Sequence, residues 1–170
     1  QILKHNGVWF TANSSNDSIT ISNEKTVSFF DVSAKRLVSK VSTPLNANEL
    51  DDHHINSVSI INENLYVLAH NNGRSDIYVL DIQTLAIKEI IQTPAKCAHG
   101  LEHYNGHLYT LCSGTNSLCE ITLTNKVLHK LPVTGFLRGL RIKNDKAFFV
   151  SSMNLKKDNE THHSVLYVID

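Results

Sequence analysis

Apolar and polar residues alternate along much of the chain, and the alternation is interrupted at regular intervals by a short pair beginning with Asn. A period of two puts successive side chains on opposite faces of a strand, so the pattern predicts β-structure. Four segments share one design: "QILKHNGVWFTA", "SVSIINENLYVLA", "GLEHYNGHLYTLC" and "GLRIKNDKAFFVS". Each predicts a hairpin closed by a two-residue turn: Asn6-Gly7, Asn62-Glu63, Asn105-Gly106 and Asn144-Asp145. Such turns need positive φ at both central residues, which Asn and Gly tolerate best. From Asn62 the next turns follow after 43 and then 39 residues.

A third β-rich run follows each hairpin: "TVSFFDV", "SDIYVLDI", "SLCEITL" and "SVLYVID". Three of these lead into a fourth: "RLVSKVST", "AIKEIIQTP" and "VLHKLPV". No segment holds a helical period for the length a stable helix needs. A four-strand unit recurring at about 40 residues predicts an all-β fold, a β-propeller of four-stranded antiparallel blades. A sandwich also uses many short strands, but it gives no reason for one turn to recur in one register. The blades are expected at about 1–45, 46–95, 96–134 and 135–170, the last lacking its outer strand. That count fits either a four-bladed ring with an incomplete last blade or part of a larger, six-bladed one. The start at Gln1, without methionine and midway through an inner strand, points to a partial propeller.

The repeat supplies its own alignment. Four residues before each turn Asn stand Ile2, Val58, Leu101 and Leu140, apolar in every unit as a buried inner-strand position should be. Six residues before the turn stand Asn56, His99 and Arg138. In a propeller the starts of the inner strands converge around one end of the central channel. His54, two residues before Asn56 on the same strand face, joins them, with Cys97 and Phe136 at the corresponding places in the next units. The expected cluster is therefore His54, Asn56, His99 and Arg138. Any one of these residues alone reads equally well as solvated channel lining. His53 is expected on the opposite face from His54. His70, His162 and His163 fall in inter-strand loops, where exposed surface is the default. His107 and His129 belong to no recognisable constellation.

Lys plus Arg and Asp plus Glu number 16 each, so there is no basic field to hold a nucleic-acid backbone. No apolar run reaches the length of a bilayer span. The three cysteines, Cys97, Cys112 and Cys119, show no metal-type spacing and read as free thiols, although Cys112 and Cys119 flank a turn and could face each other. Sequons at Asn13, Asn16 and Asn159 arise easily in a chain rich in Asn and Ser, and no compartment is assigned.

Two imidazoles, an amide and a guanidinium suit a small anionic or polar ligand, because Arg offers a planar fork of donors to sulfate, phosphate or carboxylate. Neutral His can also act as nucleophile or general base, so His54 and His99 are the candidate catalytic residues and Asn56 and Arg138 the candidate ligand-binding ones. A histidine-centred metal site is a rival reading, disfavoured by Arg138 nearby. No cofactor is expected. The stretch "DDHHINSVSIINENLYVLAHNNGRSDIYVLD" resembles a blade of arylsulfotransferase-type six-bladed propellers, which carry H-[IVL]-N-S-V at an inner-strand start. That resemblance implies sulfuryl transfer through a histidine, with His54 and Asn56 matching the H-x-N element. The other open alternative is a non-catalytic propeller that binds a protein or glycan on rim loops such as "AHNNGRSD" and "NLKKDNETHH".

Overall fold

A computed structural model describes residues 1–32, 36–38, 52–122, 124–152 and 164–170. Its strands form four antiparallel meanders, each pairing neighbours in chain order. The first sheet contains β1 (Ile2–His5), β2 (Val8–Asn13), β3 (Ser18–Ser22), β4 (Val27–Asp31) and β5 (Arg36–Val38). The second contains β6 (Ile55–Ile61), β7 (Asn64–Ala69), β8 (Arg74–Asp81) and β9 (Ile87–Lys96). The third contains β10 (Ala98–Tyr104), β11 (His107–Cys112), β12 (Ser117–Ile121) and β13 (Lys126–Lys130). The fourth contains β14 (Phe136–Lys143), β15 (Lys146–Ser152) and β16 (Ser164–Ile169). The sheets are arranged as successive blades of a β-propeller, the inner strand β6 packing on β1 and β2, β10 on β6, and β14 on β10.

The hairpin turns have the geometry their residues dictate. Both central residues hold positive φ at Asn6-Gly7, Asn62-Glu63, Asn105-Gly106 and Asn144-Asp145. Their twist matches that of the flanking strands, which fixes the register of each inner pair. The first sheet departs from the expected four strands, because "SITIS" forms β3 between the hairpin and "TVSFFDV". Its Ser and Thr residues conceal a short strand whose alternate residue, Ile19, is fully buried.

Alternation buries both faces of the middle sheets. Phe10, Ile19 and Phe30 of the first sheet pack with Val58, Leu65 and Val67 of the second. Leu68 and Ile77 turn the other way, onto Leu101, Cys112 and Cys119 of the third. Leu111 of the third meets Leu137, Leu140 and Phe149 of the fourth. Each such side chain contributes roughly 1.5–3 kcal/mol by leaving water. The outermost faces lack this cover. Ile2, Trp9 and Val27 on the first sheet and Val150, Leu166 and Val168 on the fourth are exposed.

Cys97, Cys112 and Cys119 are all free thiols. Burial pushes the Cys119 thiol up to about 12, so it is a packing residue rather than a nucleophile. No helix among the described residues is long and apolar enough to cross a membrane.

Candidate functional site

The inner strands carry their polar residues on irregular backbone. His54 and Cys97, just before β6 and β10, hold positive φ of 48° and 51°. Each strand then loses register at a bulge: between Ile55 and Ser57, between His99 and Leu101, and between Arg138 and Arg141. A bulge bends the strand and re-aims side chains at that point. Because the bulge falls closer to the turn in each successive blade, Asn56, His99 and Arg138 share a count from the turn but differ in environment. Asn56 is half-buried, His99 is 5% exposed, and Arg138 is exposed.

The bulges also tie the blades together. Asn56 Nδ2 donates to Ala98 O at 2.7 Å, and Gly100 N donates to Ser57 Oγ at 3.0 Å. Gly100 holds φ +75°, and a Cβ there would lie 2.7 Å from Leu140 Cβ and 2.8 Å from Leu140 N. Only glycine permits β10 and β14 to approach this closely.

Asn56, Ser57, His99, Gly100 and Arg138 line one cavity of about 390 Å³ at the centre of the blades. Three of the four candidate residues thus share a wall, and among the described residues no carboxylate belongs to it. His54 lies beyond His99. A row of rings runs from His54 to His70 (centroids 4.9 Å apart), then to His99 (5.2 Å) and Phe136 (5.0 Å), with the Arg138 guanidinium 4.8 Å over Phe136. His54 and His99 themselves are 6.4 Å apart.

His70 corrects the expectation of a solvated loop: it is only 8% exposed and sits between the other two imidazoles. The hairpin register held the signal. Ile55 pairs with Ala69, so the residues flanking them, His54 and His70, come together, and His70 N donates to His54 O at 3.3 Å. His53 turns away, its N donating to Asp17 Oδ2 at 2.7 Å.

The His99 tautomer follows from its neighbours. Nδ1 lies 3.0 Å from Cys97 O, a group that only accepts, so Nδ1 carries the proton in the neutral ring. Nε2 then has the lone pair, and it is buried with no hydrogen-bond partner. Burial is the main force that pushes His99 down to about 4, opposed by the Cys97 carbonyl and reinforced by the charges of Arg138, His70 and His54. Asn56 Oδ1 is likewise buried without a partner.

The metal alternative finds no support. Among the described residues no group of three or more His, Cys, Asp or Glu side chains is placed to hold a metal ion. His70 Nδ1 is already occupied by the Asn72 N–H at 3.1 Å.

A second polar group, unforeseen in the sequence, lies on the third sheet. Glu120 Oε1 is 2.6 Å from His107 Nδ1, and Oε2 is 2.7 Å from His129 Nε2. These contacts hold the Glu120 carboxyl below its ordinary value, His129 contributing most. Of the rim loops, "NLKKDNETHH", with His162 and His163, lies outside the described residues.

No protein-family model matches the chain, and no curated protein matches it. Among solved structures it is similar to the N-terminal domain of Nup159, at 15% identity and a TM-score of 0.47, covering 94% of this chain and 45% of that one. It is similar to BamB from Moraxella catarrhalis (10%, TM-score 0.45, 89% and 55%) and to apo AztD from Citrobacter koseri (17%, TM-score 0.44, 96% and 46%). The chain spans about half the length of these proteins.

Proposed function

We propose that this propeller binds a small oxyanion, or a ligand with an equivalent anionic group, in the central cavity. The observation that carries the reading is Arg138. Arg138 lines a cavity, its guanidinium lies over Phe136, and among the described residues the cavity wall holds no carboxylate and Arg138 makes no ion pair. An unpaired fork of donors beside a concave polar wall is suited to planar or tetrahedral anions. Binding is better supported than sulfuryl transfer, because the one lone pair His99 could offer as nucleophile is closed to the cavity. Isothermal titration with inorganic phosphate, sulfate and acetate tests the reading. Arg138→Ala should abolish binding and leave the unliganded thermal midpoint unchanged; wild-type protein that binds none of the three anions would overturn it.

A second reading is favoured by the exposed apolar faces of the terminal sheets: a scaffold presenting Val150, Leu166 and Val168 to a protein partner. Partner binding would then be lost on joint Leu166→Lys and Val168→Lys substitution, with anion binding unaffected.

A further inference from the structure

We infer that the open face of the fourth sheet docks a protein surface in which an apolar stripe is bordered along one side by carboxylates. The inference rests on the second reading above and adds the chemistry of the partner. The order of residues across the three strands carries it.

Residues directly opposite each other on neighbouring strands share a face. On the open face Arg138, Val150 and Leu166 form one row. Arg141, Phe148 and Val168 form the next, and Lys143, Lys146 and Asp170 the third. The β14 bulge sets Gly139 and Leu140 against Phe149 alone, so two arginines three positions apart stand on one face. A basic column therefore runs along β14 beside the exposed Val150, Leu166 and Val168 of β15 and β16. Leu140, Ile142 and Phe149 turn the other way, onto the third sheet.

The column is only partly neutralised. Glu102 of the blade behind reaches Arg141 at 3.1 Å, and Asp170 pairs with Lys146. Lys143 stands directly opposite Lys146 and makes no ion pair among the described residues. Like charges set opposite each other on two strands repel, and a carboxylate laid over them relieves the repulsion.

The same charges disfavour other occupants. A second copy meeting this face with its first sheet would bring Lys4, Trp9, Ser22 and Val27 in one row and Ile2, Thr11, Thr20 and Phe29 in the next. Those rows hold no carboxylate and add a lysine. A second copy meeting it with its own fourth sheet offers only Asp170, already paired, for four basic side chains. A lipid surface also takes basic and apolar residues, but here the basic ones border one side of the patch rather than surrounding it. The faces of like make behind it are each covered by another protein sheet.

The test is fluorescence anisotropy with two labelled amphipathic peptides, each with a leucine stripe, one bordered on one side by Glu and the other by Lys. The acidic peptide is expected to bind at least about tenfold tighter at low salt, and the preference should shrink as salt rises. Joint Lys143→Glu and Lys146→Glu substitution should reverse the preference, and Leu166→Lys should weaken both peptides. Lys143→Glu alone provides the comparison if the double variant does not fold, as judged by circular dichroism. Binding of neither peptide overturns the partner surface itself. Equal affinities, or a preference unchanged in the folded variant, overturns the acidic border while leaving the apolar surface standing. Dimerisation in sedimentation, or binding to phosphatidylserine vesicles, that is lost on Leu166→Lys assigns the face to a second copy or a membrane and overturns the inference as well.

Discussion

His99 makes the stability of this protein depend on pH with a definite sign and window. In the unfolded chain its imidazole titrates at its ordinary value of 6.5, and in the fold burial and neighbouring charges bring it to about 4. Above pH 6.5 both states are neutral, and His99 contributes no pH dependence. As the pH falls below 6.5 the unfolded chain takes up a proton that the folded one refuses, so stability is lost. The loss runs to about pH 4, where the folded imidazole also protonates, and levels off below. Each tenfold difference in proton affinity between the two states is worth about 1.36 kcal/mol, so the cost reached by pH 4 is about 3 kcal/mol. The groups responsible, beyond burial, are Arg138, His70 and His54, whose charges lower the value further. Urea unfolding at pH 7, 6, 5 and 4 measures the loss. Ordinary carboxylates titrate near the lower end of that range, so the comparison is with His99→Asn. Asn can still donate to Cys97 O but does not titrate, and it should remove about 3 kcal/mol of the difference between pH 7 and pH 4. Equal pH dependence in the two proteins, or an imidazole titration by NMR at or above 6.5 in the folded state, would refute the reasoning.

Two further outcomes follow from packing. Gly100→Ala meets both a positive φ and the Leu140 backbone, and should cost more than about 2 kcal/mol by urea unfolding; a cost under half a kcal/mol would show that β10 and β14 do not approach as described. Leu166→Lys lies on an exposed face and should change stability by less than about 0.5 kcal/mol, whereas a large loss in the same assay would show that face to be covered in solution.

The fold was legible because its signals are local. Asn-led turn pairs set positive φ, period-two runs set the strands, and their recurrence set the blades. The strand missed, β3, has Ser or Thr at three of its five positions, and only Ile19 facing the second sheet reveals it. The geometry of the candidate site was legible in part for the same reason. Counting from the turns brought out Asn56, His99 and Arg138, which line one cavity. It did not bring out His70, because its partnership with His54 depends on the register around the β6 bulge. Nor did it connect His107 and His129, which meet only through Glu120 across three strands.

"DDHHINSV" shows where the boundary lies. Strand alternation was expected to separate His53 from His54, but both precede β6 and His54 holds a positive φ, and it is the fold that ties the His53 N–H to Asp17 and turns the His54 ring toward His70 and His99. Alternation, turn type and repeat length are properties of neighbouring residues, so the sequence by itself determines them. Which ring nitrogen has a lone pair, which amide oxygen lacks a donor, and which charge lacks a counterion depend on groups brought together from adjacent blades. Burial and hydrogen bonding between blades decide these properties, and they exist only once the tertiary structure has formed.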